Sequence, residues 1–143
     1  MRVIAHRGNL NGPSAYENAP DHLLRAINAG FDIEVDVWYV NREIWLGHDS
    51  PEYLVDSSFI EDIAQRAWFH CKNEDALFYL KDMGMHCFWH NIDNYTMTTD
   101  GIIWAYPGMK VNHMSIAVMP ESVEEADISM AYGVCTDYPY EYA

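Results

Sequence analysis

Two carboxylates lie two residues apart in the stretch FDIEVDVWYV, at Glu34 and Asp36. Alternate residues of a β-strand point to the same side, so a strand here places both side chains next to each other. Adjacent buried carboxylates repel unless a cation lies between them, and carboxylate ligands favour a hard divalent ion such as Mg²⁺ or Ca²⁺. The spacing therefore indicates a metal site or, as the simpler alternative, a solvated acidic face.

Two histidines stand beside charged residues at the ends of apolar stretches. His6 precedes Arg7 in VIAHRGN, and His48 precedes Asp49 in IWLGHD. Imidazole titrates near neutrality, so one histidine can take a proton while the other gives one, as a phosphoryl transfer requires. A single histidine is more often structural, so this hypothesis depends on the two acting together.

The elements that must position these residues alternate between strands and helices in the first half of the chain. Residues 3–6 are typical of a buried strand, 20–30 of a helix and 31–40 of a second strand. Residues 67–72 predict a third core strand, and 73–84 predict a helix with an asparagine cap. Strand, helix, strand is typical of a βα barrel or a doubly wound sheet. In a parallel barrel, functional groups gather at the carboxyl ends of the strands.

The second half of the chain predicts strands with little room between them for helices. Four short stretches, HCFWHN, GIIWAYPG, SIAVMPE and YGVCTDYP, read as strands. No internal repeat, linker or low-complexity segment divides residues 1–143, so we expect one domain. Half of the residues are hydrophobic, which is sufficient for a core without disulfides.

The composition excludes several classes of partner. Eight basic against 22 acidic residues give a formal net charge of −14, which repels nucleic acid and anionic lipid surfaces. No stretch approaches the roughly 20 apolar residues of a membrane span. The three cysteines lack the spacing of a disulfide framework or a zinc cage. We therefore expect a cytoplasmic protein that binds no nucleic acid and makes no stable membrane association.

Several motifs in register resemble the N-terminal signature of the glycerophosphodiester phosphodiesterase family. AHRGN, YENAPDHLLRAINAGFDIEVDV and IWLGHD are similar, in order and spacing over residues 3–49, to the family's HRG, EN, E-x-D and HD motifs. FHCK and GVCTDYP resemble later family strands more weakly. The resemblance implies a TIM-type barrel, and this chain is short of the ~200 residues that such a barrel usually takes. We therefore expect a compact barrel, shortened in its second half, with seven or eight strands and few outer helices.

The resemblance also implies a reaction and a set of site residues. Members of the family use a divalent metal to cleave glycerophosphodiesters to glycerol 3-phosphate and an alcohol. The positions that match the family's site are His6 and His48 as the catalytic pair, Glu34 and Asp36 as metal ligands, Glu17 beside the metal, and Arg7 and Lys72 as phosphate contacts. The nucleophile is either water or a neighbouring hydroxyl of the glycerol.

His70 stands where the family has its third metal carboxylate, two residues before Lys72. A neutral imidazole can ligate a metal, but it suits a softer ion and removes one negative charge. We therefore expect Mg²⁺ or Ca²⁺, with Mn²⁺ or another transition metal as the alternative that His70 introduces. Glu17 or water fills the third position if His70 is not a ligand.

Other residues and functions stay open at this point. Trp89 and Trp104 could line a substrate pocket, although large aromatic residues are more often core, and Asp137 has no assigned role. The alternative functions are a non-catalytic module that binds a phosphorylated ligand, and a phosphodiesterase or phospholipase D-like enzyme that acts on another lipid headgroup. An incomplete barrel exposes strand edges, so a homodimer that covers them is a further prediction.

Overall fold

The computed structural model describes residues 1–143 and contains ten strands, three α-helices and three 3₁₀ turns. The strands are β1 (Arg2–His6), β2 (Asp32–Val40), β3 (Glu43–Leu46), β4 (Tyr53–Val55), β5 (Ala67–Cys71), β6 (Cys87–Trp89), β7 (Tyr95–Met97), β8 (Ile103–Ala105), β9 (Ser115–Val118) and β10 (Gly133–Thr136). The helices are α1 (Pro20–Asn28), α2 (Ser57–Ile63) and α3 (Glu74–Asp82), and the 3₁₀ turns are Ala64–Arg66, Pro120–Ser122 and Pro139–Glu141. None of the helices has the length and apolar content needed to cross a membrane.

One mixed sheet holds all ten strands. Its main path runs β4-β3-β2-β1-β10-β9-β8-β7, and β5 pairs with β2 while β6 pairs with β5. Seven of the strands, β1, β2, β5, β6, β8, β9 and β10, pair in parallel. The remaining three, β3, β4 and β7, pair antiparallel with their neighbours. The carboxyl ends of the parallel strands therefore meet at one edge, which we call the site rim.

The sheet forms a curled half-barrel, so the prediction of a TIM-type barrel with seven or eight strands is wrong. Only 24% of the chain is helical, counting three short α-helices and three 3₁₀ turns, and the helices do not form an outer ring. The connections explain the difference, because residues 106–114 contain no helix and 119–132 contain a single 3₁₀ turn. The antiparallel strand β7 stands where a TIM barrel would have a further βα unit, whereas β3 and β4 form an antiparallel extension of the carboxyl-terminal part of β2. The homodimer stays a prediction.

Local sequence signals account for the helices of the first half, and both helices predicted there are confirmed. Pro20 opens α1, where its fixed backbone angle suits the first turn, and Gly30 follows the helix at φ 99°, a conformation that favours glycine. Asn73 caps α3, since its side chain accepts a hydrogen bond from the Ala76 backbone N–H. These signals act over a few residues, which is why they can be read from the sequence.

Two apolar clusters form on opposite faces of the sheet. The larger contains 17 buried residues and packs helix side chains such as Leu23 and Leu80 against β2 and β5. The smaller contains one residue from each of six parallel strands: Ile4, Trp68, Phe88, Trp104, Ile116 and Cys135. The curl of the sheet brings these six together, so the smaller cluster fills the inside of the half-barrel below the site rim.

Candidate metal and acid–base site

Glu34 and Asp36 project from one face of β2 toward His70 on the neighbouring strand β5. Asp36 and His70 are paired residues of the two parallel strands. The His70 Nδ1 atom lies 3.2 Å from Asp36 Oδ1 and 3.4 Å from Glu34 Oε2. One ligand atom from each residue lies within 4.8 Å of the other two. This group, which we call the carboxylate–imidazole cluster, could hold a metal ion.

The surroundings of the cluster fit a metal ion. Asp36 Oδ1 is buried and makes no hydrogen bond, because its close contact with His70 lacks hydrogen-bond geometry. Asp36 Oδ2 accepts a hydrogen bond from Asn18 Nδ2 at 2.9 Å, which fixes the carboxylate. His70 Nε2 faces the His90 carbonyl oxygen at 3.1 Å, and this leaves Nδ1 toward the carboxylates. A backbone carbonyl on the second ring nitrogen is the usual support of a metal-ligating histidine.

The titration behaviour of the cluster shows how strongly two buried carboxylates demand a positive partner. Burial by itself lowers the pKa of His70, but contacts with Asp36 and Glu34 outweigh it and raise the pKa to about 9. Burial likewise raises the pKa of Asp36, but contacts with His48 and His70 hold it well below its ordinary value. An imidazolium or a metal ion can supply the positive charge, and the two compete for the same carboxylate oxygens.

A tight turn at the end of β1 brings His6 and Arg7 to the site rim. The Asn9 backbone N–H donates to the His6 carbonyl at 2.9 Å, and Arg7 and Gly8 both have positive φ, at 54° and 80°. Two successive positive φ values define a type I′ turn. A side chain at Gly8 would also press against His22, so both the positive φ and the close contact favour glycine there.

Arg7 contacts both strand carboxylates from above. Its backbone N–H donates to Glu34 Oε1 at 3.2 Å, and its Nε lies 3.5 Å from Asp36 Oδ2. The guanidinium also donates from Nη1 to Glu17 Oε1 at 3.1 Å. Its side chain is 20% exposed, so Arg7 is anchored to the cluster and still accessible from the rim.

His6 is held by a residue to which sequence reasoning gave no role, Asp137. His6 Nδ1 lies 2.8 Å from Asp137 Oδ1, while His6 Nε2 has no hydrogen-bond partner in the protein. Burial lowers the pKa of His6, but the Asp137 hydrogen bond and the charge of Glu34 raise it above the ordinary histidine value overall. Asp137 directly follows β10, and the only signal in the sequence is its place at a strand end.

His48 approaches the cluster from the loop after β3. Its Nδ1 atom lies 3.5 Å from Asp36 Oδ2, and its Nε2 atom lies 3.7 Å from Asp49 Oδ1. The side chain is 38% exposed. A side chain on the preceding Gly47 would collide with the Ser50 carbonyl oxygen, so this glycine permits the turn that presents His48.

The remaining predicted site residues fall into different environments. Glu17 lies at the rim, but both of its carboxylate oxygens accept hydrogen bonds, one from Arg7 and one from Asn9. Lys72 follows β5, is partly exposed and makes no ion pair. Trp89 is 40% exposed at the end of β6, whereas Trp104 is buried and packs on Phe88 with ring centroids 4.6 Å apart. A role in substrate binding stays a prediction for both tryptophans.

Two asparagines outside the predicted catalytic and metal-binding sets are fully buried in the site, Asn9 and Asn18. Both lie between β1 and α1. Asn18 belongs to the EN motif of the sequence resemblance, whereas Asn9 carries no signal by itself, because asparagine is common in loops.

Comparison of the chain with protein-family models, with curated proteins and with solved structures gives no match.

Proposed function

We propose that this protein is a metal-dependent phosphodiesterase that hydrolyses glycerophosphodiesters to glycerol 3-phosphate and an alcohol. The observation that carries the proposal is that one buried carboxylate, Asp36, contacts His70, His48 and Arg7 together. The proposed metal ligand His70, the proposed acid–base residue His48 and the proposed phosphate-binding residue Arg7 thus all contact one carboxylate group. The resemblance of residues 3–49 to the family signature supports the same reaction.

The donor set of the proposed metal site is two carboxylates and one imidazole nitrogen. Oxygen ligands alone favour Mg²⁺ or Ca²⁺, whereas a nitrogen ligand shifts the preference toward transition ions. We propose that His70 makes Mn²⁺ or a similar ion the better occupant. When bound, the ion neutralises the negative charge that develops on the phosphodiester oxygens.

The cations of the site have the corresponding role toward the substrate. Arg7 is accessible at the rim, and Lys72 makes no ion pair that would occupy its ammonium group. A phosphodiester bound between Arg7 and Lys72 loses hydrogen bonds to water and gains charge-assisted hydrogen bonds to the two side chains. Such hydrogen bonds are about twice as strong as neutral ones. These two residues orient the phosphorus for attack and stabilise its oxygens.

The two histidines supply the proton transfers. One of them takes the proton of the attacking oxygen, and the other gives a proton to the leaving alkoxide as its bond to phosphorus breaks. His6 Nε2 is free for this transfer because Nδ1 is held by Asp137. His48 is exposed enough to reach a bound substrate and close enough to Asp36 to be oriented by it.

The test is release of glycerol 3-phosphate from glycerophosphocholine and glycerophosphoethanolamine with Mn²⁺, Mg²⁺, Ca²⁺ or EDTA. We expect metal-dependent turnover, highest with Mn²⁺, that falls at least about 100-fold in Asp36→Asn and in His6→Ala. Asp62→Asn, an exposed acid on α2, is the matched control and should leave turnover unchanged.

A folded parent protein without turnover under any ion would contradict the proposal. Ligand binding without turnover would then indicate a non-catalytic module. Turnover confined to lysophospholipid in vesicles would indicate a different headgroup diester.

A further inference from the structure

We propose that Asn9 is a positioning residue that couples the acid–base His6 to the phosphate-binding Arg7. The inference rests on the proposed function, because it concerns how two of the proposed site residues are held. It assigns to a buried loop asparagine a role that the motifs in the sequence do not indicate.

A closed path of hydrogen bonds links the side chains of the neighbouring residues His6 and Arg7. His6 Nδ1 lies 2.8 Å from Asp137 Oδ1, and Asn9 Nδ2 donates to that same oxygen at 2.9 Å. Asn9 Nδ2 also donates to Glu17 Oε2 at 2.6 Å, and Glu17 Oε1 accepts from Arg7 at 3.1 Å. Asn9 is the one member of this path that touches both carboxylates.

The hydrogen-bonding needs of this position select asparagine. Two carboxylates face the amide nitrogen, so the residue must offer two N–H donors without adding negative charge. The amide oxygen in turn accepts a hydrogen bond from His22 Nε2 at 2.9 Å, which fixes the orientation of the amide. Burial lowers the pKa of His22, so a neutral ring can donate from this nitrogen. An aspartate at position 9 has the same shape and no donor to give.

The path explains why His6 and Arg7 can act as a unit. Asn9 is fully buried, so water does not contact its side chain and does not compete for its hydrogen bonds. A shift of Arg7 that moves Glu17 is passed through the amide to Asp137, and so to the ring of His6. Without the amide donors of Asn9, no hydrogen bond connects Glu17 to Asp137. The positions of Arg7, which is paired with Glu17, and of His6, which is paired with Asp137, are then no longer linked.

The first test compares Asn9→Asp and Asn9→Ala with the control Asn28→Asp, the same chemical change at an exposed helix end. We expect both Asn9 variants to lose about 100-fold in kcat/KM, the size typical of a misplaced catalytic group. Because the Asn9 amide positions both the acid–base residue His6 and the phosphate-binding residue Arg7, we expect kcat to fall and KM to rise in the same variant. Asp137→Asn should lower mainly kcat, and Glu17→Gln should raise mainly KM.

The second test does not require turnover. Long-range ¹H–¹⁵N spectra of the histidine rings, with EDTA present and His6 assigned through His6→Gln, report the tautomer of His6. We expect Asn9→Asp to shift the His6 ring nitrogens, and Glu17→Gln to shift them as well although it does not touch His6. If thermal melting shows that the Asn9 variants do not fold, the His6 spectrum of Glu17→Gln tests the positioning role instead.

The outcomes separate the two proposals. His6 spectra that are unchanged in Glu17→Gln and in a folded Asn9→Asp variant overturn the positioning role, whatever the parent's activity. Shifted spectra from a parent that turns over none of the diesters support the positioning role and remove the proposed reaction.

Discussion

The two halves of the sheet are covered in different ways. Helices α1 and α3 pack on the outer face of β2 and its neighbours, and the cluster of 17 buried residues lies between these helices and the sheet. The outer face of β7, β8 and β9 is covered by loops, which leave an open apolar groove beside Ile103. The helix-covered half supplies both strand carboxylates and His70, whereas the loop-covered half supplies Asp137. The helices therefore lie behind the strands that carry the carboxylate–imidazole cluster, and loops lie behind the strands next to β10.

The largest expected difference between the halves concerns stability, and a matched pair of substitutions measures it. Ile33→Ala removes a fully buried side chain under the helices and should lower the free energy of unfolding by about 4 kcal/mol. Ile103→Ala, on the loop-covered outer face, should cost about 1 kcal/mol because the side chain is only partly buried. Urea denaturation checks both, and equal costs would show that the loops pack as firmly as the helices.

Asp137→Asn tests the single contribution of the loop-covered half to the acid–base group. We expect kcat to fall about 100-fold, because an amide can donate to His6 Nδ1 and so favour the wrong tautomer for proton transfer. The affinity for Mn²⁺, measured by calorimetry, should stay within about twofold, since Asp137 does not belong to the carboxylate–imidazole cluster. A kcat equal to that of the parent would restrict the second half to a structural role.

A smaller effect concerns the pH dependence of the cluster in the helix-covered half. The pKa of His70 is raised to about 9. The contribution of the protonated ring to the free energy of unfolding is therefore fully present below about pH 6.5 and is lost as the pH rises through 9. In EDTA, we expect the parent to lose about 2.5 kcal/mol of unfolding free energy over this range relative to His70→Gln. Denaturation at several pH values measures the difference, and parallel pH profiles would contradict it.

Metal binding should show the opposite trend with pH. A proton on His70 Nδ1 excludes an ion from the same position, so the Mn²⁺ affinity of the parent should rise between pH 6.5 and 9. Calorimetric titration at the two pH values checks this, with Asp62→Asn as the control variant.

Part of the site could be predicted because it depends on short-range geometry. Glu34 and Asp36 share a face since alternate strand residues always do, and His70 is placed beside them by the parallel pairing of β2 and β5. Asp137 could not be predicted, because its contact with His6 spans 131 residues and depends on which strand lies next to β1. Asn9 was missed for a similar reason, since its partners come from three separate segments.

The error in fold class has a physical cause as well. The strand, helix, strand order of residues 3–40 is shared by closed barrels and by curled open sheets, because both are built from the same local unit. Closure depends on the second half, where the sequence correctly indicates short connections but not the antiparallel turn of β7.

The central position of β1 has a consequence for the order in which the molecule assembles. β1 pairs with β2, some thirty residues away, and with β10, more than 120 residues away. Closing so long a loop slows folding far more than it weakens the folded state. We therefore expect the carboxylate–imidazole cluster to form before His6 meets Asp137 during refolding, because the residues of the cluster lie nearer one another in the chain. Metal binding should recover before catalysis does.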